Sequence, residues 1–127
     1  MSKSAKLKSR VFKTLWFGKA AKKARINDLA LCVCIRQAEQ GLLEDLGGGV
    51  FKKRLNDNMQ RAIILAKAGR WWIFEYLFAK QDRSNIDHDE LVEFRKLSKT
   101  YAELDETQLA QLVSNNHLVE ICHDNQI

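Results

Sequence analysis

Basic side chains stand at the edges of short apolar segments in the middle third of the chain, where these segments alternate with turn residues. Lys52 and Arg54 are two residues apart, so on a β-strand they would project from the same face. Arg61 stands at the head of the next apolar segment, and Lys80 and Arg83 follow a third. Because an antiparallel arrangement can bring these cations onto one surface, we expect a site that binds a polyanion through its phosphates.

Such a cation cluster could promote cleavage of RNA. The 2′-hydroxyl of RNA attacks the adjacent phosphate when the two groups are aligned and the developing negative charge is neutralised. Lys52 is also a candidate base, and His88 is a candidate acid, the alternative being that His88 is an ordinary exposed residue at a helix start. The candidate catalytic residues are therefore Lys52, Arg54, Arg61, Lys80 and His88.

Further basic and aromatic side chains are candidates for holding the rest of an RNA strand. Aromatic rings beside cations suit RNA because bases stack on rings while phosphates bind the charges. The alternative is that the neighbouring aromatic residues Trp72, Phe74 and Phe78 fill a core, with the cations as a solvated rim. The candidate RNA-binding residues are Lys53, Lys67, Arg70, Tyr76 and Arg83.

Two other motifs carry no chemistry of their own. Gly47–Gly49 precedes a strand and lacks the Lys-Ser/Thr pair of a phosphate-binding loop, so we predict a flexible turn. Cys32 and Cys34 would lie about 200° apart on a helix, and Cys122 with His123 offers too few ligands for zinc. We expect no metal and no cofactor. Three cysteines in a reducing cytoplasm predict no disulfide.

Elements with clear signals must position these residues. Apolar alternation predicts strands over Val50–Leu55, Met59–Lys67 and Arg70–Ala79, with turns at Asn56–Asn58 and Ala68-Gly69. Strict alternation would place Tyr76 and Phe78 on the face of Trp72, opposite Trp71. Arg10–Thr14 alternates and is a candidate opening strand, while Leu118–Ile121 is either a brief edge strand or a docked tail.

Helices are predicted before and after this central region. An apolar stripe of Trp16, Phe17, Ala20, Ala21 and Ala24 predicts a helix over Leu15–Arg25, and Asp28–Gln40 follows as a second. Asp87 with Glu90 reads as a capping box for a helix to about Leu104. Asp105 with Gln108 repeats the box for a last helix that ends near Ser114.

These segments predict one α+β domain over residues 1–127, with two N-terminal helices packed on an antiparallel sheet of three to four strands and C-terminal helices over 87–114. Residues 1–9 are polar and expected to be flexible. Without a long apolar run or an apolar signal segment, we expect no membrane association. Residues 1–40 carry a net charge of +8, residues 41–83 of +3 and residues 84–127 of −6.

The chain resembles the RelE/ParE superfamily, and more narrowly the RelE-type toxins of bacterial toxin–antitoxin modules. The resemblance lies in the order of LGGGVFKKRL, QRAIILAKAGR, a strand ending in FAK, and DRSNID-x-x-EL. It extends from Val11 to Glu120. The family pattern differs at three places: Met59-Gln60-Arg61 stands for Gly-Tyr-Arg, Gln81 for an Arg, and Asp87-His88 where a Tyr is usual.

The resemblance implies a small metal-independent endoribonuclease that cuts mRNA, usually in the ribosomal A site, and that acts in the cytoplasm. It also implies a cognate antitoxin, of helix-turn-helix type, that blocks the toxin and forms a hetero-oligomer with it. Two other functions stay open. One is a gyrase poison like ParE, which needs no catalytic constellation, and the other is a degenerate, non-catalytic nucleic-acid-binding member.

Overall fold

A computed structural model describes residues 9–67 and 70–122. The predicted turn at Ala68-Gly69 and the predicted flexible lead, apart from Ser9, lie outside these residues. Within the described ranges the elements follow the order β1 (Arg10–Thr14), α1 (Leu15–Lys23), α2 (Asp28–Glu39), β2 (Glu44–Gly47), β3 (Val50–Leu55), β4 (Gln60–Lys67), β5 (Trp71–Ala79), α3 (His88–Ala102), α4 (Glu106–Ser114) and β6 (Leu118–Ile121).

The strands form one mixed sheet in the order β2-β3-β4-β5-β1-β6. β1 pairs with β5 in parallel, and the other neighbours are antiparallel. The α+β prediction is confirmed, but an antiparallel sheet of three to four strands is wrong. The described residues give six strands, because β1 and β6 extend the central meander on one side and β2 on the other. β2 reads Glu-Asp-Leu-Gly, without the β-branched residues that mark a strand.

Helices cover both faces of the sheet. α1 and α2 cover what we call the first face, where Phe17, Leu31 and Ile35 pack against Ile64 and Phe74. α3 and α4 cover the opposite, second face, whose core includes Phe12, Val50, Ile63, Ile73 and Leu109. A strand buried on both sides must be apolar at nearly every position, which explains the continuous apolar runs of β4 and β5.

A β-bulge interrupts β5 at Glu75. Ile63 pairs with Tyr76 and Ile64 pairs with Phe74, so Glu75 has no counterpart on β4. The extra residue shifts the alternation, and Tyr76 therefore lies on the second face with Trp71. The strict alternation predicted from the sequence is wrong beyond this point.

Helix α1 begins at its predicted position, with the Thr14 hydroxyl accepting a hydrogen bond from the Phe17 backbone N–H at 3.0 Å. The predicted apolar stripe is only partly buried. Phe17 and Ala21 are in the core, whereas the Trp16 side chain is 52% exposed. Trp16 comes after the end of β1 at Thr14, and its ring stacks on Tyr76 of β5 instead of entering the core.

The predicted turn at the three consecutive glycines joins β2, which ends at Gly47, to β3. Gly49 has a φ of +81°, and a Cβ built on it would lie 3.0 Å from the Ala66 carbonyl oxygen and collide with Ser98 of α3. The Ser98 hydroxyl donates to the Gly49 carbonyl oxygen at 3.2 Å. Glycine is therefore required here because the helix approaches the turn closely.

A disulfide joins Cys32 of α2 to Cys122, which follows β6. The prediction that no disulfide forms is wrong, because an odd cysteine count hides the one pair that the fold brings together. Cys34 remains a free, buried thiol. His123 lies outside the described residues. No helix among the described residues is both long and apolar enough to cross a bilayer.

Candidate functional site

Three of the predicted cations project from neighbouring strands onto one face. Lys52 and Arg54 share the side of β3 that carries Val50, which belongs to the second-face core. Arg61 of β4 stands directly opposite Arg54 in the ladder, and Ile63 stands opposite Lys52. The structure therefore brings Lys52, Arg54 and Arg61 together on the second face, at the end of the sheet near the β3–β4 turn.

Lys52 is held in place by two side chains. Its Nζ donates to Asn85 Oδ1 at 3.2 Å and lies 3.5 Å from Glu44 Oε1. Glu44 is its register partner on β2, and Asn85 comes from the loop between β5 and α3. Only 13% of the Lys52 side chain is exposed, so the ammonium group is fixed at the boundary between the sheet and this loop.

Arg61 is nearly buried, with 8% of its surface exposed. Its Nη1 donates to the Asn58 carbonyl oxygen at 2.8 Å and to that of Gln60 at 3.3 Å. The turn that supplies these carbonyls has positive φ at Asn56, Asp57 and Asn58. Asn and Asp tolerate this conformation, which explains the composition of the turn.

Arg83 anchors the loop that follows β5. Its guanidinium forms a two-point ion pair with Glu90 of α3, and its Nε donates to the Asn85 carbonyl oxygen at 3.0 Å. The guanidinium carbon of Arg83 lies 5.6 Å from the centre of the Phe78 ring. The Glu90 carboxylate and, less strongly, the Tyr76 hydroxyl raise the pKa of Arg83, while the same ion pair lowers the pKa of Glu90.

The other two catalytic candidates lie near this cluster along the chain. The Lys80 backbone N–H donates to the Met59 carbonyl oxygen at 2.9 Å, which places Lys80 beside the β3–β4 turn. His88 is the exposed first residue of α3, three positions after the Asn85 that binds Lys52. Asp87, which stands with His88 in place of the usual Tyr, caps the helix by accepting from the Glu90 backbone N–H.

The structure does not bring three of the RNA-binding candidates to this cluster. Lys53 lies on the first face, beside Cys34. Lys67 is six residues along β4 from Arg61, about 20 Å away at the usual strand rise, and its Nζ donates to the Ala102 carbonyl oxygen at 2.7 Å. Arg70 is paired with Glu106 at 2.7 Å.

Tyr76 and Arg83, in contrast, lie at the cluster. Tyr76 packs between aromatic neighbours on the second face, with ring centres 5.8 Å from Phe78 and 5.9 Å from Phe94. Phe78 itself is buried and stands opposite Arg61. Phe78 therefore belongs to the core, as the alternative interpretation of the aromatics held, while Tyr76 is only half-buried.

Sequence reasoning missed the residues that hold the cations in position. Glu44 and Glu90 are the carboxylate partners, and Asn85 is the amide partner. Glu90 had a detectable signal, because its capping-box position was predicted and Arg83 is seven residues before it. Glu44 had none, because its pairing with Lys52 depends on the unrecognised strand β2.

Neither cofactor nor metal residues stand out at this site. Among the described residues, no three His, Cys, Asp or Glu side chains are grouped closely enough to hold a metal ion. Comparison with known protein families gives a match over residues 9–121 to the RelE toxin of the RelE/RelB toxin–antitoxin system. The chain belongs to the RelE toxin family. The match begins just before β1 and ends with β6, so it covers all the elements of the sheet.

Membership of the RelE toxin family confirms the resemblance found in the sequence. No curated protein and no solved structure matches this RelE-family chain. Lys52, Arg54 and Arg61 are on one face, Arg83 closes the same end of the sheet, and Lys80 and His88 are close to it along the chain.

Proposed function

We propose that this RelE-family toxin is a metal-independent endoribonuclease that cleaves mRNA on the ribosome, in the cytoplasm. The observation that supports the proposal most directly is the convergence of Lys52, Arg54 and Arg61 on one face of β3 and β4. Like charges opposed across a ladder destabilise a sheet. A polyanionic ligand that neutralises Arg54 and Arg61 would explain why these two like charges stand opposite each other.

The proposed reaction uses the substrate's own nucleophile. The 2′-oxygen bonds to the adjacent phosphorus as its proton leaves, and the bond from phosphorus to the 5′-oxygen breaks as that oxygen gains a proton. The products are a 2′,3′-cyclic phosphate and a 5′-hydroxyl. The phosphorane carries extra negative charge in between, which fixed cations stabilise without reorganising during the step.

Each candidate has a role that fits its surroundings. Arg61 and Arg54 would neutralise the phosphorane, with Lys80 contributing from the adjacent turn. Lys52, whose Nζ is oriented by Asn85 and Glu44, would first release its own ammonium proton to solvent and then accept the proton of the 2′-hydroxyl. His88 would donate the proton to the leaving oxygen, since it lies on the same loop-to-helix segment as Asn85.

The RelE family pairs its toxin with an antitoxin, so a protein partner is expected for this chain. We propose that a helix-turn-helix antitoxin forms a hetero-oligomer with the toxin and covers the cation cluster with an acidic or amphipathic segment. Opposite charges would speed that association and make it depend on salt. RNA and antitoxin would then compete for Arg54 and Arg61.

The proposal is tested by replacing Arg61 with Ala and inducing the variant in a bacterial host. Loss of one charge-stabilising donor costs about 3 kcal/mol, or roughly 100-fold in cleavage rate. Mapping of mRNA 5′ ends should therefore show new ends for the wild type and very few for Arg61→Ala. Lys99→Ala, an exposed lysine in the last turn of α3, is the matched control and should cleave normally.

Arg61 also donates to two turn carbonyls, so the fold of Arg61→Ala must be verified by circular dichroism and thermal unfolding. Arg54→Ala provides a second variant, because Arg54 is exposed and its removal should leave the fold intact. If both folded variants arrest growth and cleave mRNA as the wild type does, the ribonuclease assignment is wrong. Trapping of cleaved DNA by purified gyrase would then identify a gyrase poison instead.

A further inference from the structure

We propose that Trp16, stacked on Tyr76, forms a binding site for one unpaired base of single-stranded RNA, next to the cation cluster. This inference rests on the proposed action on RNA and adds a contact to it. Trp16 was assigned to a core stripe from the sequence, and the structure places it outside the core. Its surroundings fit a nucleotide in shape, in ring geometry and in charge.

The site is a cavity of about 600 Å³ between the start of α1 and the second half of β5. It exists because β1 pairs with β5 only from Trp71 to Phe74. β1 ends at Thr14, where the chain turns into α1. Among the described residues, no strand therefore lies beside Tyr76–Ala79 on the side away from β4. The lining includes Trp16, Lys19, Lys23, Tyr76, Phe78 and Arg83.

The aromatic pair is suited to stacking. The rings of Trp16 and Tyr76 are stacked, with centres 5.2 Å apart and planes inclined by 23°. The Trp16 side chain is nevertheless 52% exposed, whereas Trp71 is 2% exposed. Tryptophan is highly buried on average, so a half-exposed indole at a cavity indicates a ligand surface. Nucleic-acid bases stack on such rings whatever their sequence.

The charges around the rings are arranged for a backbone that follows the base. Lys19 and Lys23 are four residues apart and so lie on the same side of α1. Both are exposed, and Arg83, whose guanidinium is paired with Glu90, lines the same cavity. Asp82 is the one carboxylate among the described lining residues, so the lining as a whole is positive. Cations beside stacking rings are the usual arrangement of single-strand binding sites.

The cavity is continuous with the cation cluster. Phe78 lines the cavity, stands opposite Arg61 in the ladder and carries the Arg83 guanidinium over its ring. A base on Trp16 would therefore belong to a nucleotide close to the phosphate that Arg61 contacts. Stacking there would fix the position of the RNA along the site, so that one particular phosphate of the RNA contacts Lys52 and Arg61.

An extended antitoxin segment added to the unpaired edge of β5 is the competing occupant. Strand addition uses backbone hydrogen bonds along an edge and needs no exposed ring. The half-exposed indole, the concave lining and the paired lysines favour RNA instead. The two occupants make different predictions for Trp16, which the following measurements separate.

The test uses the full-length protein and a short 2′-O-methyl RNA, which lacks the nucleophilic hydroxyl and cannot be cleaved. Binding should quench tryptophan fluorescence, because Trp16 is the most exposed of the three indoles. Trp16→Ala should raise the dissociation constant about tenfold, and Trp16→Tyr should restore much of the affinity. Leu15→Ala is the matched control, since Leu15 is 48% exposed on the same helix and does not line the cavity.

Charge is tested separately. Lys19→Gln and Lys23→Gln should each reduce the slope of log affinity against log salt by about 0.7, the contribution of one phosphate contact on a single strand. If Trp16→Ala binds the RNA as tightly as Leu15→Ala does, the stacking site is refuted. If Trp16→Ala weakens only binding of the antitoxin, the cavity belongs to the protein partner and the inference is likewise refuted.

The stacking site and the ribonuclease proposal can fail independently. Binding of 2′-O-methyl RNA through Trp16, without cleavage of unmodified RNA by the wild type, would refute the ribonuclease proposal and leave the stacking site established. Normal cleavage by wild type, together with equal RNA affinity of Trp16→Ala and Leu15→Ala, would refute the stacking site alone.

Discussion

Arg54 and Arg61 occupy directly opposed positions on β3 and β4. Arg54 is exposed, whereas Arg61 is nearly buried and donates hydrogen bonds to carbonyl oxygens of the turn. Two cations at one cross-strand position repel each other, and the sheet tolerates them at a cost in stability. A site that binds a phosphate needs two cations close together. The pair therefore lowers the stability of the sheet and favours the binding of a phosphate.

Arg54→Gln should therefore make the protein more stable and less active. Removing the repulsion should raise the free energy of unfolding by about 0.5 kcal/mol at low salt, and the gain should shrink at high salt because ions screen the repulsion. Urea denaturation at two salt concentrations measures both effects. Lys99→Gln, which removes a distant exposed charge, should show no such gain. A loss of stability in Arg54→Gln at low salt would contradict the prediction.

Glu75 should make stability fall as pH rises through neutrality. Burial raises the pKa of Glu75 from 4.5 to about 7 in the folded protein, although the hydrogen bond from Tyr101 opposes the shift. The folded state therefore holds the proton more tightly than the unfolded chain. The contribution of Glu75 is fully present below about pH 4.5 and is lost as pH rises through about 7.

The variant Glu75→Gln removes this titration. Its free energy of unfolding should exceed that of the wild type at about pH 8 and approach it at about pH 5. Urea denaturation at both values gives the difference. Glu103→Gln, which removes an exposed carboxylate, should leave the pH dependence of the wild type unchanged. Parallel pH profiles for wild type and Glu75→Gln would rule out this role of Glu75.

Gly49→Ala should be much more destabilising than Gly41→Ala. Both glycines have a φ of +81°, but nothing lies within 4 Å of a Cβ at Gly41, whereas a Cβ at Gly49 meets Ser98 and Ala66. In both variants the alanine must adopt a positive φ, and this backbone strain costs roughly 1 kcal/mol. Only Gly49→Ala must also displace α3, which should lower the free energy of unfolding by about a further 1–3 kcal/mol. Thermal unfolding compares them, and equal losses would show that α3 yields freely.

Reduction of the Cys32–Cys122 disulfide should lower the free energy of unfolding by about 2–4 kcal/mol, because the cross-link restricts the conformations of the unfolded chain. Cys122→Ser should show the same loss and no further response to reductant. Burial raises the pKa of Cys34 to about 12, so this thiol should resist alkylation in the folded protein. Fast labelling of Cys34 in the folded protein would contradict its burial. Labelling of three thiols in the unfolded, unreduced protein would contradict the assignment of the pair.

Local signals in the sequence predicted most of the elements. The strands Val50–Leu55, Arg10–Thr14 and Leu118–Ile121 have the bounds that alternation indicated, and both capping boxes are formed. These features depend on neighbours in the chain. Alternation and capping are local physics, so a single sequence contains them.

The errors concern relationships between distant residues. The bulge at Glu75 changes the faces of Tyr76 and Phe78, and no local rule marks a bulge in an apolar strand. The disulfide joins residues 90 positions apart. The parallel pairing of β1 with β5 requires the whole intervening chain. The cations could be named from the sequence, but the face that each one occupies could not.

The bulge has one last consequence for the architecture. Ile63 and Ile64 are consecutive on β4 while Phe74 and Tyr76, their partners, are not. Glu75 is thus a position that the ladder skips. A chain shortened by that one residue could keep the later pairings, Arg61 opposite Phe78 included, and would lose a partly buried carboxylate and the hydrogen bond that it accepts from Tyr101. Deleting Glu75 should therefore make the sheet more regular and leave the proposed catalytic residues in place.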